Sequence, residues 1–290
     1  MRRDDLRERR RHSGGAAGFG HRRSRYGRAV ARHGAVRCGN RLRTVRRPGD
    51  HGGMHSTSAH PTVHRLDLGY FVRPASETGG PEPRVEPALA YLVEHDRGLL
   101  LFDTGIGAAD PETEAHYRPR RRPLQAALAG VGVALADISL VVNCHLHFDH
   151  CGGNPLLAGK PILVQDVELA TARRGDYTID ELIDFPGARY EQLTGEAEVW
   201  PGVRVVPTPG HTDGHQSLVL HHPDGTVVLA GQAHDFASHY ASDHLARQAA
   251  LDGAARLPGY RRWLDRLAAF APRRVYFAHD CSVWEPPHAP

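Results

Sequence analysis

Six consecutive positions, His145-Leu146-His147-Phe148-Asp149-His150, hold three imidazoles and one carboxylate. Buried structural histidines do not crowd in this way, because each needs its own hydrogen-bond partners. A divalent cation does require it, because nitrogen and oxygen donors must surround it. Two more histidines stand just beyond short apolar runs. His211 follows Val203–Val206, and His279 follows Arg274–Phe277. If those run ends meet at one edge, the donors divide into two sets: His145, His147 and His211, and Asp149, His150 and His279. Each set suits one ion such as zinc, manganese or ferrous iron. The chain has 21 histidines, and His55, His60, His221 and His222 have no such company. His211 alone would read as a loop histidine; the run at 145–150 is what raises its standing. His215 reads as a brace for the same loop. Cys144 and Cys151 flank the run without paired zinc-finger spacing, so they read as small buried thiols rather than metal thiolates. No Gly-x-Ser-x-Gly occurs, which argues against a serine hydrolase.

These donors need rigid elements behind them. Leu140-Val141-Val142 reads as a buried strand that ends just before the cluster, and Gly152-Gly153-Asn154 reads as a turn after it. Strands are also expected at Val63–Val72, Ala88–Val93, Leu99–Phe102, Pro161–Val164, Ser217–Leu220 and Val227–Leu229. Helices are expected at Leu124–Val131, at Asp166–Arg173 with Asp166 as N-cap, at Tyr177–Ile183, and as a pair over 245–270 interrupted at Pro258-Gly259. Residues 74–87 and 109–122 read as solvated loops. Runs of strands with helices between them predict an α/β fold, with two sheets face to face and helices on both outer faces.

The chain has 290 residues, and 40% of them are hydrophobic, enough for a globular core. No run approaches the roughly 18 apolar residues of a membrane span, so a soluble, cytoplasmic protein without a membrane partner is expected. The net charge of +3 conceals an asymmetry. Residues 1–53 are arginine-rich against only Asp4, Asp5, Glu8 and Asp50, and the remainder is net acidic. Such an arm can bind nucleic acid, remain a disordered tail or resemble a transit segment. A fourth reading is preferred, in which 1–53 is an extension outside the natural product and the folded domain is 54–290. Met54 opens the patterned region, and Lys160 is the single lysine, as in a GC-rich coding sequence. Nucleic acid is not an expected partner.

The run His145–His150 with Gly152-Gly153, then Pro209-Gly210-His211 and the late His279, resembles the metallo-β-lactamase superfamily. Within it the chain is similar to the N-acyl-homoserine lactone lactonases. The shared wording is His-Leu-His-Phe-Asp-His, Pro161–Glu168, Trp200-Pro-Gly-Val203, Thr208–Ser217 and His279-Asp280. The resemblance implies an αββα sandwich and one or two Zn²⁺ ions, the first on His145, His147 and His211 and the second on Asp149, His150 and His279. It implies that Asp103 braces a ligand histidine. It further implies hydrolysis of a small lactone ester by metal-bound hydroxide, with Asp149 sharing in proton transfer. Two positions depart from the family. Gln232 stands where an aspartate usually bridges the metals, and Asp235 stands where lactonases often carry a tyrosine. Gln232 is expected to ligate one ion, to be replaced by Asp235, or to leave the second site weak. Tyr240 is near in sequence. The alternatives are another ester or thioester hydrolase on this fold, or a catalytically impaired metal binder.

Overall fold

Alternating and continuous apolar runs set the strands, and glycine-bearing turns join them. In the computed structural model, residues 60–175, 177–253 and 259–287 are described. The extension at 1–53 and the start assigned to Met54 lie outside them. Strands β1 (Thr62–Arg73), β2 (Arg84–His95), β3 (Gly98–Phe102), β4 (Arg120–Arg121), β5 (Ile138–Val142), β6 (Pro161–Gln165) and β7 (Arg189–Leu193) form a seven-stranded sheet in the order β4-β1-β2-β3-β5-β6-β7. Strands β8 (Ala197–Trp200), β9 (Val203–Pro207), β10 (Gln216–Leu220), β11 (Thr226–Leu229) and β12 (Pro272–Tyr276) form a second sheet in the order β12-β11-β10-β9-β8.

The period-two pattern separates three apolar layers. Tyr91, Val93, Leu100, Phe102, Leu140 and Val142 of the first sheet meet Val203, Val205, Leu218, Leu220 and Leu229 of the second. On the outer face of the first sheet, Leu92, Leu101, Val141 and Ile162 are covered by helices α3 (Leu124–Ala129), α4 (Asp166–Ala172) and α5 (Asp180–Ile183), which contribute Leu124, Leu128, Leu169 and Leu182. On the outer face of the second, Val206, Val219, Val228 and Val275 pack on Tyr240 of α6 (Ala237–Leu251) and on Leu264 and Leu267 of α7 (Trp263–Ala268). This is the αββα sandwich. Among the described residues, no helix is long and apolar enough to cross a membrane.

Several elements differ from the sequence-based expectation. Residues 74–87 are not one loop. A short helix, α1 (Ala75–Thr78), is followed by β2, which starts at Arg84 and buries Glu86 completely. Polar residues hid this strand end, because Glu86 is buried by ion pairs rather than by apolar contact. Residues 109–122 hold helix α2 (Pro111–Tyr117), capped by Asp110, whose carboxylate accepts from the Glu112 and Thr113 amides, and then edge strand β4. Asp166 is the first residue of α4 rather than its cap; Gln165 holds the cap position and makes no side-chain cap. Strand β7 went unread because it lies at a sheet edge and is largely exposed, so it lacks an apolar period.

The topology explains the position of the donors. β3 runs parallel to β5, and β11 runs parallel to β12. The segments leaving their C-terminal ends are therefore neighbours: Asp103 beside Asn143–His145 in one sheet, and Gln232 beside His279 in the other. Gln216, on β10, ties the sheets together. Its side-chain amide donates to the Asn143 and Leu163 carbonyls at 2.8 and 3.2 Å, and its Oε1 accepts from Gln165 at 2.9 Å.

Candidate metal centre

The loop after β5 brings both donor sets together. Within the first, His145 Nε2 lies 2.9 Å from His147 Nδ1, which lies 3.1 Å from His211 Nε2. Within the second, His150 Nε2 lies 3.1 Å from His279 Nε2, and Asp149 Oδ2 is 3.6 and 3.5 Å from those two nitrogens. In each set the ligand atoms lie within 4.8 Å of one another. His211 and His279, although 64 and 129 residues from their partners His147 and His150, converge on the 145–150 loop as the sequence predicts.

The tautomers decide what the second set can do. The Pro87 carbonyl only accepts, so His279 Nδ1, 2.8 Å away, carries the proton and donates. The Asp103 carboxylate accepts in the same way from His150 Nδ1 at 3.0 Å. Both Nε2 atoms in the neutral rings are therefore bare lone pairs. Asp149 adds an anion, and the Oε1 of Gln232 lies 3.2 Å from His150 Nε2. Four acceptors face one another, and a divalent cation would satisfy them. His150 itself shows the demand for positive charge: burial opposes its protonation, but Asp149 and Asp103 outweigh burial and raise its pKa. Burial would raise the Asp149 carboxyl, yet His150, His279 and His147 bring it down to about 2. In the first set burial leads, followed by neighbouring charges. It drives His145 well below its ordinary value, His147 to about 4 and His211 to about 3. All three imidazoles present neutral lone pairs, as ligation requires. The residues fit a metal at both sets.

Supports behind the donors are dense. Asp103 adopts φ 63°, a left-handed conformation uncommon outside glycine. This lets its second oxygen accept the Cys144 amide at 2.8 Å while the first holds His150. Gly152 passes so close to Gly107 that a Cβ would sit 1.8 Å from the Gly107 nitrogen. A relay runs through the 208–217 loop. The Gln232 amide donates to His215 Nε2 at 3.1 Å, and His215 Nδ1 donates to Thr208 Oγ1 at 2.8 Å. Thr208 then meets Ser217 at 2.9 Å. His215 is thus a brace, with both nitrogens engaged. The Cys144 sulfur lies 3.1 and 3.3 Å from the Nδ1 atoms of His145 and His150. His150 Nδ1 is already taken by Asp103, and burial pushes the Cys144 thiol well up, so this grouping is a buried thiol behind the ligands.

Sequence reasoning missed Glu168 as a support. It is 1% exposed and accepts from the Leu146 amide and the Thr212 hydroxyl, each at 2.8 Å, and from the Tyr177 hydroxyl. One carboxylate thereby joins the His145–His150 loop to the His211 loop. The signal available was a carboxylate in the first turn of α4 with an apolar surround, which is also how an ordinary surface helix begins.

The departures now have geometry. The Gln232 side chain is 3% exposed, points Oε1 at the second donor set and donates Nε2–H to Asp235 Oδ1 at 3.0 Å. Asp235 therefore holds the amide from behind rather than replacing it among the donors. Tyr240 is buried against Phe277 and Trp284 in the outer core and takes no part in the donor cluster. The aromatic rings nearer the centre are Tyr177, 4.6 Å from His147, and Phe71, edge-on to His279 at 5.2 Å.

Residues 83–279 match the sequence profile of the metallo-β-lactamase superfamily. The chain belongs to that superfamily. An N-acyl homoserine lactonase of a Bacillus species is 30% identical over 210 residues, covering 67% of this chain and 81% of that protein. The N-acyl homoserine lactonase AttM of Azorhizobium caulinodans is 28% identical over 224 residues, covering 68% and 83%. Among solved structures, an N-acyl homoserine lactone hydrolase with N-hexanoyl-L-homoserine bound at its catalytic metal centre aligns at TM-score 0.59 and 25% identity, covering 75% of this chain and 92% of that one. As a member of this superfamily, similar to these lactonases, the chain is a metal-dependent hydrolase.

Proposed function

We propose that this hydrolase opens the ester ring of lactones, N-acyl-homoserine lactones or close analogues, using zinc, and that it acts in the cytoplasm as a quorum-quenching enzyme. The observation that carries the reading is the convergence of bare lone pairs from His150 and His279 with Asp149 and Gln232 Oε1, in a chain akin to lactonases. His145, His147 and His211 would hold one ion, and Asp149, His150 and His279 the other. Gln232 would add a neutral oxygen to the second. Ions so held would supply Lewis acidity and would lower the pKa of a water from about 15.7 to roughly 7.

The chain's own groups do the rest. Asp149, whose carboxylate sits between His150 and His279, accepts the proton released as water adds to the ester carbonyl. It returns that proton to the ring oxygen when the carbon–oxygen bond breaks, leaving a hydroxy acid. Asp103 and the Pro87 carbonyl keep His150 and His279 in the ligating tautomer. The test is metal analysis joined to a pH-stat assay on N-acyl-homoserine lactones, simple esters and thioesters. Metal with ring opening supports the proposal. Metal with turnover of esters or thioesters but not lactones refutes the substrate class.

A further inference from the structure

The wall of the cluster beside His279 is built by the β1–β2 hairpin, and it carries a charge that metal binding does not use. A bulge between Asp67 and Tyr70, with Gly69 at φ 119°, resets the register. Beyond it Phe71 pairs with Glu86 and Arg73 with Arg84, so all four side chains lie on one face. Glu86 is 0% exposed. Both its oxygens lie 2.9 Å from Arg73 Nε, and Oε1 also accepts from Arg84 Nε and Nη2 at 2.8 and 2.6 Å. Two guanidiniums thus share the one buried carboxylate of Glu86, and the Arg84 side chain is 34% exposed. Arg73 is 13% exposed and turned inward. Its Cζ lies 5.3 Å from the Phe71 ring, which meets His279 edge-on at 5.2 Å. Pro87, next to Glu86 on the same strand, accepts from His279 Nδ1 at 2.8 Å, so this end of the hairpin borders the second donor set.

We propose that Arg73 anchors the substrate: held by Glu86 through Nε and flanked by Glu77, whose carboxylate lies 3.7 Å from Nη1, it offers its Nη2 N–H groups to an oxygen acceptor on the part of the substrate that does not react. That acceptor is an amide carbonyl or a carboxylate attached to the lactone. A fixed guanidinium fork suits either one, and an ammonium does not reproduce it. The proposal rests on the lactone reading of the site.

The experiment compares zinc-loaded wild type, Arg73→Gln, Arg73→Lys and Arg84→Gln on three lactones: unsubstituted γ-butyrolactone, an N-acyl-homoserine lactone, and a γ-lactone bearing a carboxylate. Bound metal is measured in each variant. In Arg73→Gln, the preference for an acceptor-bearing lactone over γ-butyrolactone should fall about ten- to a hundred-fold, chiefly through KM and with metal content retained. Arg73→Lys should be intermediate, and Arg84→Gln should keep the wild-type preference. The acceptor-bearing lactone that loses its advantage identifies the acceptor. An equal loss on all three lactones, the same loss in Arg84→Gln, or no change overturns the assignment. Wild-type turnover of γ-butyrolactone without any Arg73 effect would sink this inference alone. No lactone turnover by the wild type would sink the parent reading with it.

Discussion

Replacing Gln232 by aspartate should tighten the second metal, and the structure allows the size of the effect to be worked through. The amide offers one neutral oxygen 3.2 Å from His150 Nε2. A carboxylate about 4 Å from a dication gains about 8 kcal/mol at an effective dielectric of 20. Two terms oppose that gain. Asp235, now 3.0 Å from the amide nitrogen, would face a like charge at a cost of about 4 kcal/mol at a similar separation. Burying the new anion where Gln232 is 3% exposed costs several kcal/mol before the ion is counted. The net is about 1–3 kcal/mol, or about five- to a hundred-and-fifty-fold in affinity. Asp235→Asn removes the repulsion, so the double variant Gln232→Asp, Asp235→Asn should bind more tightly than Gln232→Asp alone, and the cycle should show coupling. The assay is competition for zinc against a chromophoric chelator, with emission spectrometry counting ions per chain. Stoichiometry should move towards two in Gln232→Asp. The reasoning fails if wild type already holds two ions tightly and Gln232→Asp changes neither count nor affinity. It also fails if Asp235→Asn leaves the Gln232→Asp affinity unchanged.

Three further outcomes follow from the same geometry. Glu168→Gln preserves shape but turns an amide N–H towards donors that now meet a carboxylate; stability should drop by about 1–3 kcal/mol, read as a lower urea midpoint, and an unchanged midpoint would remove Glu168 as the tie between loops. Gly152→Ala forces a methyl against backbone at 1.8 Å, so a loss of at least about 3 kcal/mol is expected, and a variant with wild-type Tm would show that the Gly105–Gly107 segment yields freely. Metal-free protein should lose stability as pH falls. His145 is driven well below 6.5 and His147 to about 4, so the unfolded chain takes up protons first. Their contribution is complete above pH 6.5 and declines from there towards pH 4, by up to about 1.4 kcal/mol per pH unit for each histidine. His211 is partly open to solvent and adds less. Denaturant titrations of the chelated protein at pH 7.5, 6 and 5 test this, and a flat profile would contradict the burial of those rings.

Legibility in the sequence followed the range of the interaction. The donors were readable because coordination demands unusual residue types, and because four of the six stand in one run at the end of an apolar strand. His211 and His279 were readable because each follows an apolar run of its own. The sandwich followed from strand runs separated by helices. What escaped was set by long-range polar partners. Glu86 was read as loop because nothing local explains a buried carboxylate; Arg73 and Arg84 explain it only once the hairpin pairs them. Glu168 joins donors from three separate segments, and no periodicity records that. β7 offers its backbone to the sheet edge while leaving most of its side chains in water, so its strand character lies in hydrogen bonds that a hydropathy pattern does not express.

Charge sets this centre apart more than donor geometry does. Among the six donors from the two sets, Asp149 is the one anion. Asp103 and Asp235 stand one hydrogen bond further out, behind His150 and Gln232. Two dications held here would face one carboxylate directly and two through an intervening side chain, and charge interaction weakens with separation. Less neutralisation leaves each ion a stronger Lewis acid and a more weakly retained ligand. The hairpin adds Arg73 to the same field. A centre balanced in this way favours groups that bring negative charge or concentrated oxygen density with them. The ring-opened product of a lactone, a carboxylate, is such a group, so retention of product by the zinc-loaded enzyme should exceed that of the intact neutral lactone.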